Sequence, residues 1–455
     1  MPETAPHAAF HAGEDRRAWD WLGAHRAAQG ADDSWHFAVG APEAERVCLA
    51  GEFNRWTRDA DPMTCGADGV WTLTVPAERF GPEEKKRTYK YLILDRKGRW
   101  HFRSDPYGFR MEKQPGTASV LWDEDGYAWQ DADWMRARAD WDPVTSPVSI
   151  YEVHAGSWRR KEDNSPLSFT ELADALIPYV LEMGYTHIEL LPVMEHPYEG
   201  SWGYQVTGYF AVTSRWGTPR DLMIFVDRCH RAGIGVILDW VPAHFPKDEN
   251  GLRCFDGSCL YEHPDPARSD LAQWGTCLFD FSRPEVRSFL TSSAFFWLDR
   301  FHADGLRVDA VSAILYSDFG KPSAQGPGQE NRDGAAFLRR LNEAVREAFP
   351  GVMMIAEEST AYPRVTAAPG EGGLGFTFKW NMGWTNDTLS YIGTDYDWRG
   401  GAHDRITFSL TYAFSERFIL PLSHDVSCTE RSPCSTRTPE TSGRSSPVSA
   451  PSTAS

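Results

Sequence analysis

The sequence lacks the segments that would carry it into or across a membrane. Its N-terminus has no apolar run long enough for a signal peptide, and no stretch approaches the roughly 20 apolar residues of a membrane span. Positive charges are in the minority, since the formal net charge is −18, and polyphosphate or anionic lipid would be repelled. We therefore expect a cytoplasmic protein that binds neither nucleic acid nor membranes.

Two further kinds of site are not indicated. The eight cysteines form no CxxC pair and no histidine cluster has zinc spacing, so the sequence predicts no metal. Cys254 and Cys259 are close enough for a disulfide, but free thiols are the expectation for a cytoplasmic enzyme. No glycine-rich phosphate loop follows the first strand of the parallel sheet predicted below, which argues against a dinucleotide-binding fold.

The N-terminal third contains short alternating apolar runs. Residues 1–30, rich in Ala, His and charge, are predicted to be a poorly ordered leader. Residues 31–125 are predicted to form a β-sandwich, from the runs WHFAV (35–39), ERVCLAG (45–51), WTLTV (71–75) and YKYLIL (89–94). Residues 126–146, rich in Asp and Trp, are predicted to be a linker.

From residue 147 to 425 the pattern changes to strand, helix, strand. The apolar runs are VSIYEVH (148–154), THIELLPV (186–193), GVILDWVP (235–242), GLRVDAV (305–311), VMMIAEE (352–358) and FILPLSHD (418–425). Capping boxes at Ser168/Glu171 and Ser282/Glu285 predict two helix starts, and Thr218 to Gly233 predicts the bounds of another helix. Such units indicate an α/β fold with a parallel sheet, either a (β/α)8 barrel or a doubly wound sheet.

Polar residues at the C-terminal ends of the predicted strands favour the barrel, because barrel enzymes carry their chemistry at that rim. These residues are His154, Glu195, Asp239, Asp309, Glu357 and Asp425. The alternative interpretation is that they form buried ion pairs that hold the barrel together.

The spacing of Arg307, Asp309 and Glu357 suits glycoside chemistry. Arg307 and Asp309 are two residues apart on one predicted strand and face the same side. A guanidinium within about 4–6 Å keeps a carboxylate ionised, as attack on an anomeric carbon requires. Glu357 can protonate the leaving oxygen, because neighbouring strands lie about 4.8 Å apart and retaining glycosidases separate their carboxyl groups by about 5–5.5 Å. Strand alternation turns the adjacent Glu358 to the opposite face.

A third carboxylate, Asp425, completes the predicted set. It would strengthen its hold on sugar hydroxyls as the ring flattens in the transition state. His244 and His424 are candidate hydrogen-bond donors to those hydroxyls. This chemistry requires neither a metal nor an organic cofactor, and we expect none.

Four segments, in order, resemble the four sequence regions of the alpha-amylase superfamily of glycoside hydrolases. They are DWVPAHF (239–245), DGLRVDAV (304–311), AEEST (356–360) and LSHD (422–425). The resemblance implies a catalytic barrel with Asp309 as nucleophile, Glu357 as general acid/base and Asp425 as transition-state stabiliser. It also implies a substrate subsite formed by Asp239, His244, Arg307 and His424.

Other segments resemble the glycogen (1,4-alpha-glucan) branching enzymes of that superfamily. They are YEVHAGSWRR (151–160), SWGYQVTGYFAVTSRWGTP (201–219), KWNMGWTNDTL (379–389) and SERFILPLSHD (415–425), and GEFNRW (51–56) resembles a starch-binding module. Tyr204 matches a tyrosine of that family's donor subsite. The resemblance implies cleavage of alpha-1,4 bonds through a covalent intermediate on Asp309 and transfer to a 6-hydroxyl of an alpha-glucan such as glycogen. We expect a monomer.

Two alternatives stay open. A trehalose-releasing or debranching hydrolase of the same superfamily would use the same carboxylates with water as acceptor. The chain could instead bind glucan through the sandwich alone, with Trp56, Trp71 and Trp122 as a sugar platform, although each is equally suited to the core.

The resemblance stops directly after Asp425. Residues 426–455 are dominated by Ser, Thr and Pro and contain no aromatic residue, which predicts disorder. We hypothesise a reading-frame shift after the Asp425 codon, with a natural tail as the alternative. On either account the barrel is expected to be incomplete, with its first strand left unpaired and the chain poorly stable and weakly active or inactive.

Overall fold

The computed structural model describes residues 6–29, 32–123, 126–319 and 328–425. The chain divides into two compact units, Met1–Lys379 and Trp380–Ser455. The segment 426–455, for which disorder is predicted, lies outside the described residues. Among the residues that are described, no helix is both long enough and apolar enough to cross a bilayer.

The N-terminal segment, predicted to be a poorly ordered leader, folds over its described part. It forms helix α1 (Pro6–Ala12) and strand β1 (Gly23–Gln29). Trp19, between them, is fully buried, and the Ser288 hydroxyl donates to the Phe10 carbonyl over 2.9 Å. The prediction was wrong because a few apolar side chains suffice to anchor a segment whose other residues are mainly Ala, His and charged.

Seven further strands complete a β-sandwich, as the alternating runs predict. They are β2 (Asp32–Gly40), β3 (Ala44–Gly51), β4 (Thr64–Cys65), β5 (Val70–Pro76), β6 (Thr88–Asp95), β7 (Trp100–Arg103) and β8 (Ser119–Val120). One antiparallel sheet has the order β1-β2-β5-β4, and the other has β3-β6-β7 with β8 paired to β6. Phe37 and Tyr89 join the two sheets, with ring centroids 5.2 Å apart. The predicted start at residue 31 is one strand too late, because β1 pairs with β2.

The predicted linker contains a helix that packs on the barrel. Helix α2 (Ala132–Ala139) places Trp134 and Arg138, four residues apart, on one face. The Trp134 Nε1–H donates to Asp304 Oδ1 over 2.8 Å, and the Arg138 guanidinium donates to the same oxygen over 3.1 Å. The segment therefore belongs to the base of the barrel.

Parallel strands separated by helices form the predicted sheet. In chain order the elements are β9 (Ile150–Val153), α3 (Phe169–Met183), β10 (His187–Leu190), β11 (Met194–Glu195), β12 (Gly208–Val212), α4 (Pro219–Arg231), β13 (Gly235–Trp240), β14 (His244–Pro246), α5 (Pro266–Ser269), β15 (Asp270–Leu271), β16 (Thr276–Leu278), α6 (Pro284–Arg300), β17 (Gly305–Val308), α7 (Val311–Leu315), α8 (Arg332–Ala348), β18 (Met353–Ala356) and β19 (Phe378–Trp380). Strands β9, β10, β13, β17, β18 and β19 pair in that order, all parallel. The fold is an incomplete (β/α)8 barrel preceded by an all-β sandwich, as predicted. Strand β19 was not predicted, because its three residues have the polar Lys379 at their centre and form no continuous apolar run.

The predicted helix starts are confirmed in two cases and wrong in one. Ser168 and Glu171 form the capping box of α3, and Thr218 and Asp221 form that of α4. Helix α6 begins without such a box, and its N-cap residue is Arg283. The predicted Ser282 and Glu285 side chains have other partners: the Ser282 hydroxyl donates to Asp280, and Glu285 pairs with a histidine of α1.

The second unit contains helices α9 (Met382–Ile392) and α10 (Asp404–Thr407) and strand β20 (Phe418–Ile419). The Asn381 N–H donates to the Ile419 carbonyl over 2.9 Å. The strand predicted over 418–425 is thus only two residues long. The backbone of Pro421 has no N–H to donate, and its carbonyl accepts from a side chain, the Thr385 hydroxyl, over 2.6 Å.

Candidate active site

The C-terminal ends of β13 and β17 bring three charged side chains together. Asp239 lies opposite Arg307 in the parallel register of these strands. Arg307 is fully buried, and one nitrogen of its guanidinium donates to Asp239 over 3.1 Å and to Asp309 over 2.6 Å. A buried guanidinium therefore joins two carboxylates at the predicted rim.

Asp309 is held in its ionised form. Burial by itself opposes ionisation, but the neighbouring His244 and the charge of Arg307 outweigh it and lower the pKa of Asp309 below its usual value. The His244 Nε2 lies 3.7 Å from Asp309 Oδ2. An anionic carboxylate at the mouth of a barrel is the form that attacks an anomeric carbon.

Tyr204 extends this network on the side of Asp239. Its hydroxyl donates to Asp239 Oδ2 over 2.5 Å, and the Arg307 guanidinium carbon lies 5.8 Å from the centroid of its ring. Both oxygens of Asp239 are thus engaged, one by Arg307 and one by Tyr204. These contacts fix the orientation of the buried carboxylate.

Trp274 is a neighbour of the site that sequence reasoning missed. Its ring centroid lies 4.9 Å from that of His244. Strand β14, which begins at His244, pairs with β16, and this pairing brings residues about 30 positions apart into contact. The sequence spacing of the two residues does not predict this contact, because it depends on the antiparallel pairing of β14 with β16, which lie between the barrel strands β13 and β17.

Glu357 lies beside Asp309 on the neighbouring strand. The register pairs Val308 with Ala356, so the two carboxylate-bearing residues follow at the same level. One oxygen of Glu357 accepts the backbone N–H of Ala310, the residue after Asp309, over 2.8 Å. The arrangement can supply an anionic nucleophile and a second carboxyl group to the two sides of one bond.

Glu358, adjacent in sequence, belongs to a structural ion pair. It is fully buried, its Oε2 accepts from Lys379 over 2.6 Å, and its Oε1 accepts from the Ser312 hydroxyl over 2.8 Å. A carboxylate engaged in this way is not available for proton transfer. Strand alternation accounts for the different surroundings of the two glutamates.

Another rim residue also has a structural partner, in line with the alternative interpretation of the rim. Glu195 accepts from Arg215 over 2.6 Å and from the Ser214 N–H over 2.9 Å. Burial raises its pKa in spite of these donors. Its role is to hold the loop after β12 against β11.

The two remaining predicted residues, His424 and Asp425, lie in the second unit. There the Asp425 N–H donates to the Ser423 hydroxyl over 3.3 Å, and His424 Nε2 lies 3.3 Å from Asp425 Oδ1. Their assignment to the substrate site stays a prediction.

Two protein-family models match parts of the chain. The model of carbohydrate-binding module 48, the isoamylase N-terminal domain, matches residues 21–108, which include strands β1 to β7 of the sandwich. The alpha-amylase catalytic domain model matches residues 174–266. Among solved structures, a pullulanase of Paenibacillus barengoltzii complexed with maltotetraose superposes with a TM-score of 0.60 at 19% identity, covering 82% of this chain and 60% of the other. At that identity the likeness shows the fold alone.

Curated relatives are much closer in sequence. The 1,4-alpha-glucan branching enzyme GlgB of Methylococcus capsulatus is 52% identical over 412 residues, which cover 89% of this chain and 55% of that protein. The enzyme of the same name from Nitrosococcus oceani is 50% identical over 424 residues, 91% of this chain and 56% of the relative. The chain spans little more than half the length of these relatives.

Proposed function

Because this chain belongs to the family of 1,4-alpha-glucan branching enzymes, we propose that its site cleaves an alpha-1,4-glucosidic bond and transfers the released chain to a 6-hydroxyl. The product would be an alpha-1,6 branch in a glycogen-like polysaccharide. The observation that supports this most directly is Asp309, ionised by Arg307 and one strand away from Glu357.

In the first step an Asp309 oxygen forms a bond to the anomeric carbon as the bond from that carbon to the 4-oxygen breaks. Glu357, protonated at this stage, gives its proton to the departing 4-oxygen. The first product leaves with a free 4-hydroxyl, and the remaining glucan is esterified to Asp309.

In the second step the 6-hydroxyl of another glucan segment attacks the same carbon. Glu357, now ionised, takes the hydroxyl proton, and the ester bond to Asp309 breaks. Two displacements retain the alpha configuration and return both carboxyl groups to their starting forms.

The other predicted residues would bind substrate. Tyr204, Asp239, His244 and Arg307 would form a subsite around the reacting sugar. The family resemblance also implies a substrate-binding role for His424. Asp425 would stabilise the transition state. The contacts of Tyr204 and Arg307 with Asp239 support a shared role, since all three side chains are oriented by one another.

The sandwich would bind the same polysaccharide away from the barrel. Of the three tryptophans considered for this, Trp71 is buried and its Nε1–H donates to the Ala41 carbonyl over 2.9 Å, so it belongs to the core. Trp56 is exposed and remains a candidate platform for a sugar ring.

We further propose that the protein acts as a monomer in the cytoplasm. The six cysteines among the described residues are free thiols, including Cys254 and Cys259. Unpaired thiols are typical of a reducing compartment. Gel filtration with light scattering would test the monomer.

The reaction is tested by incubating the purified chain with linear amylose. Branching lowers the iodine stain without releasing reducing sugar, whereas release of reducing sugar alone would indicate a hydrolase. Asp309→Asn is the blank, and the full-length relative from Methylococcus capsulatus is the positive control. If the chain binds amylose but no product exceeds the blank, the proposal fails for this chain and the binding interpretation is favoured.

A more sensitive test follows the first step alone. A fluorinated, activated alpha-glucosyl fluoride forms the ester quickly and releases it slowly, so the adduct accumulates. Mass spectrometry of the digested protein should find the sugar on the peptide that contains Asp309. An adduct on any other carboxylate would contradict the assignment of the nucleophile.

A further inference from the structure

A second cluster of reactive side chains lies in the loop 247–269, between β14 and β15. The sulfur atoms of Cys254 and Cys259 and a carboxylate oxygen of Glu262 all lie within 4.8 Å of one another. No residue of the candidate active site belongs to this group. It combines two thiols with a carboxylate at the spacing C-x4-C-x2-E.

The carboxylate of this cluster is buried, and only one of its two oxygens accepts a hydrogen bond. Glu262 is 3% exposed, and its Oε1 accepts the Cys254 N–H over 2.8 Å. Its Oε2 has no hydrogen-bond partner among the described residues. Burying a carboxylate oxygen without a donor or a cation is unfavourable, which calls for a further ligand of this atom.

The backbone that carries the cluster is held in place. The Gly257 N–H donates to the Cys254 carbonyl over 3.0 Å, closing a turn, and Cys254 itself has a φ of 46°. Arg103, at the end of β7 in the sandwich, donates to the carbonyls of Cys254 over 2.5 Å and Phe255 over 2.8 Å. Glu262 is fixed from the other side by a bridge to Phe279. The ligand atoms are therefore preorganised.

We propose that Cys254, Cys259 and Glu262 bind one zinc ion, with a water molecule as the fourth ligand. Two thiolates favour zinc over magnesium or calcium, which take oxygen ligands. In a tetrahedral zinc site the bonds are about 2.0–2.3 Å long and the ligand atoms lie about 3.5–4 Å apart, so the three side chains must close by about 1 Å. The two thiol protons are released to the buffer as the metal binds.

The ion would stabilise the loop 247–269 in its contact with the sandwich. Arg103 also binds the turn that supplies the two sulfur atoms. The loop that carries this turn follows directly after β14, and the pairing of β14 with β16 positions His244. The role is structural, and the proposal does not depend on the proposed glucan chemistry. It goes beyond the sequence analysis, which predicts no metal because the cysteines form no CxxC pair.

The test uses the purified full chain, reduced, treated with chelator and then dialysed against zinc. Metal analysis should find one zinc per chain, and cobalt in its place should give thiolate-to-cobalt charge-transfer absorption. Glu262→Gln keeps every cysteine and should weaken zinc binding at least about tenfold, because a neutral amide is a poorer ligand. The double variant Cys254→Ser/Cys259→Ser should lose the bound zinc and the charge-transfer band.

The matched control is Cys65→Ser, which removes an exposed thiol of the sandwich outside the cluster and should bind zinc as the parent does. Melting temperatures with and without zinc show that each variant is folded, and only the parent and the control should gain several degrees. Equal zinc binding by Glu262→Gln and the parent would overturn the proposal. So would a disulfide between Cys254 and Cys259 that forms in place of zinc binding in the reduced, zinc-dialysed protein.

Discussion

The two ends of strand β17 each carry a buried aspartate, and the two aspartates have different surroundings. Asp304 precedes the strand and Asp309 follows it, so about one strand length separates them. Both are largely buried and have a lowered pKa. Their partners decide what each can do.

At the base, Asp304 is saturated with donors. Its Oδ1 accepts from Trp134 over 2.8 Å and Arg138 over 3.1 Å, and its Oδ2 accepts from the Val236 N–H over 2.7 Å and His230 over 2.8 Å. Four donors leave no lone pair directed at a ligand. This is a carboxylate that holds α2, α4 and the sheet together.

At the rim, Asp309 has fewer contacts through its carboxylate oxygens. Arg307 donates to one oxygen over 2.6 Å, and His244 lies 3.7 Å from the other. The charge is kept while one oxygen remains able to form a bond. Burial and a lowered pKa are thus common to both aspartates and do not by themselves mark a catalytic group. What supports the role proposed for Asp309 is its incomplete coordination at the C-terminal rim.

The strongest loss of activity is expected from replacing the rim aspartate, Asp309. Asp309→Asn should lower the rate of glucosyl-enzyme formation by at least about 10⁴-fold, because an amide cannot act as the nucleophile. The free energy of unfolding should change less than for the base aspartate, since Arg307 keeps Asp239 as a partner. Mass spectrometry with the activated fluoride gives the rate, and urea unfolding gives the stability. A variant that forms the adduct normally would remove Asp309 from the mechanism.

The reverse pattern is expected at the base. Asp304→Ala should destabilise the fold by about 3–5 kcal/mol, because the buried Arg138 would lose its carboxylate partner and the buried His230 would lose one of its two. Adduct formation per folded molecule should be unchanged. Urea unfolding checks the first point, with Asp304→Asn as the control that keeps shape and loses charge. A stable Asp304→Ala protein would show that the base cluster is not structural.

The base should also be the pH-sensitive end. Burial alone would lower the pKa of His230, but the charge of Asp304 and the hydrogen bonds that His230 donates to Asp131 and Asp304 raise it to about 9. A histidine with a pKa near 6.5 when unfolded then contributes stability that is complete below pH 6.5 and lost as the pH rises through 9. Unfolding free energies measured from pH 6 to pH 10 should fall by about 2–3 kcal/mol over this window. His230→Gln should flatten the slope, and an unchanged slope in that variant would assign it to another group.

A smaller loss of activity is expected from removing a hydrogen bond to Asp239, the other rim aspartate that Arg307 contacts. Tyr204→Phe removes one hydrogen bond to Asp239 and should reduce adduct formation about tenfold, the equivalent of about 1.4 kcal/mol. The fold should be little affected, because the ring and its contact with Arg307 remain. The measurement is the dependence of the rate on substrate concentration. An effect as large as that of Asp309→Asn would mean that Tyr204 does more than orient Asp239.

The parts of the fold that follow a regular period could be predicted from the sequence. The strands β10, β13, β17 and β18 contain near-continuous apolar runs, and the capping boxes of α3 and α4 are local signals. The leader was misjudged because its burial depends on partners far away in sequence, such as Ser288 for Phe10. Local composition carries no information about such partners.

The candidate site divides in the same way. The pairing of Arg307 with Asp309 could be predicted, because two residues on one strand meet by alternation alone. The contact between His244 and Trp274 could not, because it needs the β14–β16 pairing. The Cys254–Glu262 cluster was also missed, since its spacing is not that of a common zinc motif.

One alanine has a consequence for stereochemistry. Ala310 adopts a φ of 50°, a conformation that few side chains tolerate, and its amide is the group that binds Glu357. The abrupt turn at this residue therefore sets how far the second carboxyl group stands from the first. A wider gap would admit a water molecule between sugar and carboxylate and would favour inverted products. The retention proposed for this site would thus rest on the backbone of a residue that has no functional group of its own.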